Sequence, residues 1–180
     1  ACHKWMMTPK GCSFLYVKKE YQHLFDPLIV SWGYDSAMPS HSRFLDYHQG
    51  QGTRDFSAML TIPKAIAFMH DNHWTAVAAQ CNKLVMDNAL RFCTLLHAQP
   101  LSPVHPDFIG QLYSIAINSS EPEKLQRHLF EKYKIEIPVM RHGDKVFIRY
   151  SINAFNSQHD LDVLYNALEE IISEGILIRL

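Results

Sequence analysis

Two basic side chains and one glycine-rich segment are the candidates for chemistry in this sequence. The first is Lys4, which stands in the stretch HKWMMTPKGCSFLYV, just ahead of a Pro-Lys-Gly turn and an apolar run. A lysine in this place is either a solvated loop charge or a nucleophile held in an active site. Taken alone, the segment favours the solvated charge.

The second basic side chain is Arg149, in the stretch VFIRYSIN. Strand alternation predicts an apolar face of Val146, Ile148, Tyr150 and Ile152, with Arg149 on the opposite face. A guanidinium there either pairs with an internal carboxylate or holds a ligand carboxylate through two parallel hydrogen bonds. The residues by themselves leave both possibilities open.

The glycine-rich segment is GQGTRD, which ends at Asp55. Gly50 and Gly52 precede Thr53, and such glycines allow a backbone to approach a phosphate closely. The signal is weak by itself, since most such loops bind nothing. The eleven histidines form neither an HExxH motif nor a tight pair with a carboxylate, so the sequence predicts no metal site.

Hydrophobic periodicity and turn residues predict the elements that carry these candidates. In the first part of the chain we expect a strand covered on both sides (residues 11–17), a polar loop (37–55), a helix kinked at Pro63 (56–72) and one long helix (73–99). After a break at 99–106, we expect a strand (108–117), a helix behind a capping box at Ser120, a short strand (136–140), a turn (142–145), a strand (146–153) and a helix capped by Ser157 that ends at Gly175.

Composition limits the classes of protein. The chain of 180 residues is 47% hydrophobic with a formal net charge of −1, so it can bury a core and shows no basic surface for nucleic acid. No apolar stretch is long enough to span a membrane. Four cysteines without zinc-site spacing predict free thiols and a reducing, cytoplasmic location. The first residue is not Met, and we expect the chain to be a piece of a longer protein.

Three segments occur together and in order: HKWMMTPKGCSFLYV, HQGQGTRDFSAMLTIPKAIAFM and IEIPVMRHGDKVFIRYSINAFNSQHDLDVLYNALEEI. In this combination the sequence resembles the C-terminal portion of a class V aminotransferase, one of the fold-type-I enzymes that use pyridoxal phosphate (PLP). The subgroup that it resembles most is the isopenicillin N epimerase-like proteins. The resemblance extends over nearly the whole chain.

The resemblance implies a role for each candidate. Lys4 matches the lysine that forms the Schiff base with PLP, in a desolvated site. Gly52 and Thr53 match the loop that reaches the PLP phosphate of the neighbouring subunit, which implies a homodimer. Arg149 matches the arginine that binds the α-carboxylate of an amino-acid substrate. His3 matches the residue before the lysine, and no role follows for it.

The resemblance also implies a fold class: α/β, comprising the tail of a large PLP-binding domain (1–72), a linking helix (73–99) and a small α+β domain (100–180). The upstream half of such an enzyme would carry most of the phosphate cradle, the aspartate at the pyridine nitrogen and the ring stacked on the cofactor. Desulfurases of this class carry a nucleophilic cysteine shortly before the arginine strand, and residues 108–149 contain none. We therefore expect an epimerase, aminotransferase or lyase. The alternative is a non-catalytic folded fragment, or a degenerate relative of these enzymes, with a packing or dimerisation role.

Overall fold

The computed structural model describes residues 1–177 and divides the chain into two compact units, Ala1–Asn72 and His73–Leu180. The first unit contains a 3-10 helix at Lys19–Leu24 and three short α-helices: α1 at Arg43–Gln49, α2 at Ser57–Leu60 and α3 at Ile62–Asp71. The second contains the long helix, a sheet and two further helices. None of the described helices is both long and apolar enough to cross a membrane.

The strand predicted at 11–17 is wrong. These residues are irregular, and the apolar side chains of Phe14 and Tyr16 are 72% and 78% exposed. A strand forms only by hydrogen bonding to a neighbour, and the described part of this unit contains no strand that could pair with it. The apolar pattern of the segment is therefore not matched by burial within this unit.

The polar loop predicted at 37–55 is wrong in part, because α1 lies within it. The Ser42 hydroxyl accepts a hydrogen bond from the Leu45 N–H at 3.3 Å and so caps the first turn. Tyr47 is the buried residue of α1, stacks on Tyr34 at 4.3 Å between ring centroids and donates to the Asp35 carboxylate. About two turns of helix among turn-forming residues are too short for a helical period to be recognised in the sequence.

The helix predicted at 56–72 is confirmed as two pieces. Thr61 separates α2 from α3, and its hydroxyl donates to the Ala58 carbonyl at 2.7 Å. Pro63 lies in the first turn of α3, where its missing N–H costs nothing, so it begins a helix and does not kink one.

The long helix is confirmed as α4, Trp74–Leu96. His73 and His97 flank it in the left-handed conformation, with φ of 50° and 54°. One stripe of α4 is buried, including Val85, Ala89 and Phe92. This stripe belongs to the core of the second unit.

A three-stranded antiparallel sheet supports Arg149. Its strands are β1 at Leu112–Ile117, β2 at Val139–His142 and β3 at Lys145–Ser151, in the order β1-β3-β2. The first and last predicted strands are confirmed at shorter length, and β2 begins three residues later than predicted. Alternate residues of β1 and β3 point into the core, as the period of two requires, and Val139 is the buried residue of β2.

The remaining helices are α5 at Pro122–Tyr133 and α6 at Gln158–Ser173. The capping box predicted at Ser120 is wrong: the cap residue of α5 is Glu121, no side chain caps the helix, and Pro122 begins it. The capping box of α6 is confirmed, with the Ser157 N–H donating to the Asp160 carboxylate at 2.7 Å. Gly175 follows α6 at φ 73°, as predicted.

The core of the second unit fills the space between the inner sheet face and the helices. α4 contacts β1 and α6, and α5 contacts β2. The predicted stripe of α6 is buried in this core, as its four members show: Leu161, Leu164, Leu168 and Ile171. The fold is thus mixed helix and sheet, as the sequence predicted.

Candidate functional site

Lys4 lies in a turn whose base is anchored by buried residues. The Cys2 N–H donates to the Cys12 carbonyl at 3.1 Å, and the Thr8 N–H donates to the Cys2 carbonyl at 3.3 Å. The Thr8 hydroxyl lies 3.0 Å from the Cys12 sulfur, and all three residues are buried. A further backbone hydrogen bond of 3.1 Å, from Met7 to the Lys4 carbonyl, tightens the turn. The backbone that carries Lys4 is therefore held at several points.

The Lys4 side chain itself is exposed. Within residues 1–177 no hydrogen bond or ion pair engages its amine. The desolvated surroundings that the resemblance implies are therefore not provided by the described part of this chain. The neighbouring His3 is half-buried, and its Nδ1 is buried without a hydrogen-bond partner.

The glycine-rich segment packs on the residues around Trp32. Gly52 has a φ of 89°, and a Cβ built on it would lie 3.3 Å from the Ser31 hydroxyl oxygen, so the position suits glycine. Gly33 donates its N–H to the Gly50 carbonyl at 3.0 Å, which joins the two segments. An open groove of about 510 Å³ runs along Trp32 and residues 49–54. Thr53 is exposed on this groove, where its hydroxyl can meet a ligand.

Arg149 occupies the face of β3 that points away from the core, as predicted. Its neighbours Ile148 and Tyr150 are 1% and 4% exposed, whereas Arg149 is half-buried. Its Nε atom is buried and has no hydrogen-bond partner. No carboxylate of the described residues forms an ion pair with it. Of the two possibilities left open by the sequence, the structure does not provide the internal acidic partner.

Two groups of the second unit whose pKa is shifted, Tyr150 and Asp162, have structural partners. Burial raises the pKa of the Tyr150 phenol, whose hydroxyl donates to the Val85 carbonyl at 3.2 Å. Hydrogen bonding from the Arg91 guanidinium lowers the pKa of the Asp162 carboxyl. Among the described residues, no three His, Cys, Asp or Glu side chains are grouped so that they could hold a metal ion. All four cysteines are free and buried, as predicted.

The candidate residues divide between the two units. Lys4, Gly52 and Thr53 belong to the first unit and Arg149 to the second. Sequence reasoning did not single out Ser114, the residue of β1 that is paired with Arg149. The alternation of β1 places it on the outer face, but the pairing of two strands cannot be read from the sequence.

Comparison with known proteins gives relatives that extend beyond this chain. No family model matches. Two proteins named isopenicillin N epimerase, from Amycolatopsis lactamdurans and Streptomyces clavuligerus, are each 28% identical to it, over 94% and 96% of this chain and 45% and 46% of their own. A probable chloroplastic L-cysteine desulfhydrase from Arabidopsis thaliana is 25% identical over 96% of this chain and 39% of its own. The chain thus spans less than half the length of the curated relatives it matches.

The fold has a solved counterpart. The apo structure of a cysteine desulfurase from Thermococcus onnurineus NA1 matches 96% of this chain and 46% of its own, with a TM-score of 0.74 at 17% identity. The comparisons confirm the class that the three segments predicted: the chain is similar to the C-terminal portion of class V aminotransferase-like, PLP-dependent enzymes. Within that class, the two most similar of these relatives carry the name isopenicillin N epimerase.

Proposed function

We propose that this chain is the C-terminal part of a PLP-dependent enzyme that acts on an amino acid, of epimerase, aminotransferase or lyase type. The observation that carries the proposal is the guanidinium of Arg149 on a half-buried strand position, whose Nε has no hydrogen-bond partner among residues 1–177. The guanidinium offers two parallel N–H groups to a carboxylate, which every α-amino acid carries. The similarity to the two epimerases supports the same reading.

The donor set of the chain fits PLP. Lys4 offers a primary amine that no residue among 1–177 engages, and an aldehyde requires such an amine. Gly52 offers a half-buried backbone, and Thr53 offers an exposed hydroxyl, to a phosphate. We propose that Lys4 is the attachment point of the cofactor and that Thr53 binds the phosphate in a neighbouring subunit of a homodimer.

PLP, when bound, withdraws electrons from the substrate and makes its Cα proton removable. In the proposed mechanism the Arg149 guanidinium fixes the substrate carboxylate and so sets which Cα bond faces the lysine. The Lys4 amine takes the Cα proton at Nζ. An epimerase needs a second acid on the opposite face of Cα, because one lysine reaches one face. The reaction type is therefore decided by a second group.

Covalent attachment of PLP to Lys4 tests the proposal. In the full-length protein incubated with PLP and reduced with borohydride, we expect peptide mass spectrometry to find the cofactor on Lys4. Lys4→Ala should abolish the attachment, and Lys4→Arg should not restore it, because a guanidinium stays protonated. Lys10→Ala removes an exposed lysine of the same turn region and should leave attachment unchanged.

Attachment at another lysine in the unsubstituted protein would remove Lys4 from the mechanism. No attachment at all in the full-length protein would favour the alternative of a non-catalytic module.

A further inference from the structure

The residue paired with Arg149 offers a second donor to the same ligand. β1 and β3 are antiparallel, and Ser114 is directly opposite Arg149. Both residues are half-buried, and both point to the outer face of the sheet, since the residues on either side of each are buried. Directly opposite side chains on one face of an antiparallel pair interact.

The backbone hydrogen bonds show that this pair is the closely spaced kind. The Arg149 N–H donates to the Pro138 carbonyl at 3.1 Å, away from β1, whereas the Ile152 N–H donates to the Gln111 carbonyl at 2.8 Å, towards β1. Pairs alternate along an antiparallel ladder, so Ser114 and Arg149 form a non-hydrogen-bonded pair, in which the Cα atoms are about 4.5 Å apart and the side chains are closer.

The two pairs that flank this one on the outer face differ. Ala116 is paired with Phe147, which is also paired with Met140 of β2, so that side is apolar, whereas Leu112 is paired with the exposed Ser151 on the other side. The Ser114 hydroxyl makes no hydrogen bond within residues 1–177. The buried Nε of Arg149 and the Ser114 hydroxyl are therefore two unengaged donors on adjacent strands.

We propose that Ser114 is a substrate-binding residue that donates a third hydrogen bond to the carboxylate held by Arg149. This inference rests on the proposed function and deepens it. The guanidinium binds the carboxylate in its plane, and the hydroxyl on the neighbouring strand meets one carboxylate oxygen from the side, which fixes the rotation of the substrate about its Cα–carboxylate bond. Ser114 thereby contributes to orientation as well as to affinity.

The test uses propionate, a carboxylate without an amino group, as the ligand. An NMR titration measures its binding to the full-length protein. Ser114→Ala should weaken binding about tenfold or more, the effect of losing one hydrogen bond to a charged group. Ser114→Thr keeps the hydroxyl and should bind nearly as the unsubstituted protein does. Ser114→Asp places a carboxylate opposite Arg149 and should abolish binding, because the guanidinium then has an internal partner.

Two controls separate this inference from the proposed function. Ser120→Ala removes an exposed hydroxyl beyond the end of β1 and should change nothing. Arg149→Ala should abolish propionate binding, and circular dichroism should report an intact fold for every variant.

If Ser114→Ala binds propionate as tightly as the unsubstituted protein while Arg149→Ala does not bind, the inference about Ser114 is overturned and the proposed function stands. If both variants bind as the unsubstituted protein does, the carboxylate role of Arg149 fails, and the substrate part of the proposed function fails with it.

Discussion

Arg91 and Arg149 lie in the same unit but differ in the partners of their guanidinium groups. Arg91 donates to the Asp162 carboxylate, and its guanidinium lies 4.0 Å from the ring centroid of Tyr165. Arg149 has neither a carboxylate nor a ring partner among the described residues. An arginine that is engaged on both sides stabilises the fold, whereas the half-buried guanidinium of Arg149 has no internal partner among residues 1–177 to compete with an anion.

This contrast predicts how substitutions of Arg149 behave. In the full-length enzyme, Arg149→Ala should lower kcat/KM for the amino-acid substrate about 100-fold or more, because two hydrogen bonds to a charged group are lost at about 1.5–3 kcal/mol each. Arg149→Lys should recover part of this, since lysine offers a point charge without the planar fork. Steady-state kinetics measure both effects, and PLP content should stay unchanged.

Arg91→Ala is the matched control. It removes a paired arginine and should lower the unfolding temperature while leaving kcat/KM near its original value. If Arg149→Ala instead lowers the unfolding temperature and loses PLP together with activity, Arg149 is structural.

For single residues, the sequence predicted which face of a strand a side chain occupies better than it predicted what surrounds that side chain. The face of Arg149 followed from the period of a strand, which is a local property. Lys4 is exposed in the described chain, as its segment alone favoured, whereas the resemblance implied a desolvated site. The sequence could not decide between the two, because the surroundings of a turn depend on residues distant in sequence. The anchoring of that turn by Cys2, Thr8 and Cys12 likewise has no pattern by which it could be recognised.

At the scale of elements, the contact between α4 and α6 combines apolar packing with a polar network. Asn88 and Gln158 exchange hydrogen bonds of 2.8 and 2.9 Å between their amides, and Gln158 also donates to Asp162 at 3.0 Å. Asp162 therefore accepts from both helices. The network fixes the register of the two helices where apolar side chains alone would allow sliding.

The lowered pKa of Asp162 makes this contact sensitive to acid. The Arg91 hydrogen bond favours the ionised carboxylate in the folded state, so the contribution to stability is present above the unfolded-state pKa of about 3.9 and is lost as the pH falls through the lower folded-state pKa. Asp162→Asn should lower the free energy of unfolding at pH 7 and weaken its decline towards pH 2. Urea denaturation at several pH values measures this.

Asp144→Asn is the control, because Asp144 lies exposed in the turn between β2 and β3 and no described group is paired with it. It should leave the pH profile unchanged. A decline towards low pH that is equally steep in the Asp162→Asn protein would contradict the prediction.

The prediction of helices and strands succeeded where a long run of apolar residues recurs with the period of the element. It failed where the burial of a segment depends on what packs against it. α4 and α6 have long apolar stripes and lie where predicted. Residues 11–17 have the composition of a buried strand but no described strand to pair with. α1 has a single buried residue, Tyr47, which is too little for a periodic signal.

At the scale of the whole molecule, the resemblance implies that the loop of Gly52 and Thr53 reaches the PLP phosphate of a neighbouring subunit. If that is right, the PLP affinity of Thr53→Ala should fall about tenfold or more, since a hydroxyl that donates to a charged phosphate is lost. Thr53→Ser keeps the hydroxyl and should bind PLP normally. Absorbance titration with PLP measures both affinities.

Mixed dimers determine which subunit the threonine serves. A dimer of one Lys4→Ala subunit and one Thr53→Ala subunit should contain one fully competent site, because the intact lysine of one subunit meets the intact threonine of the other. Each mixed dimer should therefore have up to half of the activity of an unsubstituted dimer, which has two competent sites. No gain over the two parent variants would show that Thr53 serves its own subunit, or that the protein is not a dimer.

The central place of β3 in its sheet has a consequence for folding. Backbone hydrogen bonds join Arg149 to Pro138 on one side and Ile152 to Gln111 on the other, so the position of the guanidinium is lost only when the sheet opens. A carboxylate held by Arg149 would bind the folded unit and not the unfolded chain. By mass action such a ligand raises the free energy of unfolding as its concentration exceeds its dissociation constant. Substrate occupancy and the lifetime of the folded unit would then be linked quantities, so the substrate would protect the unit that binds it.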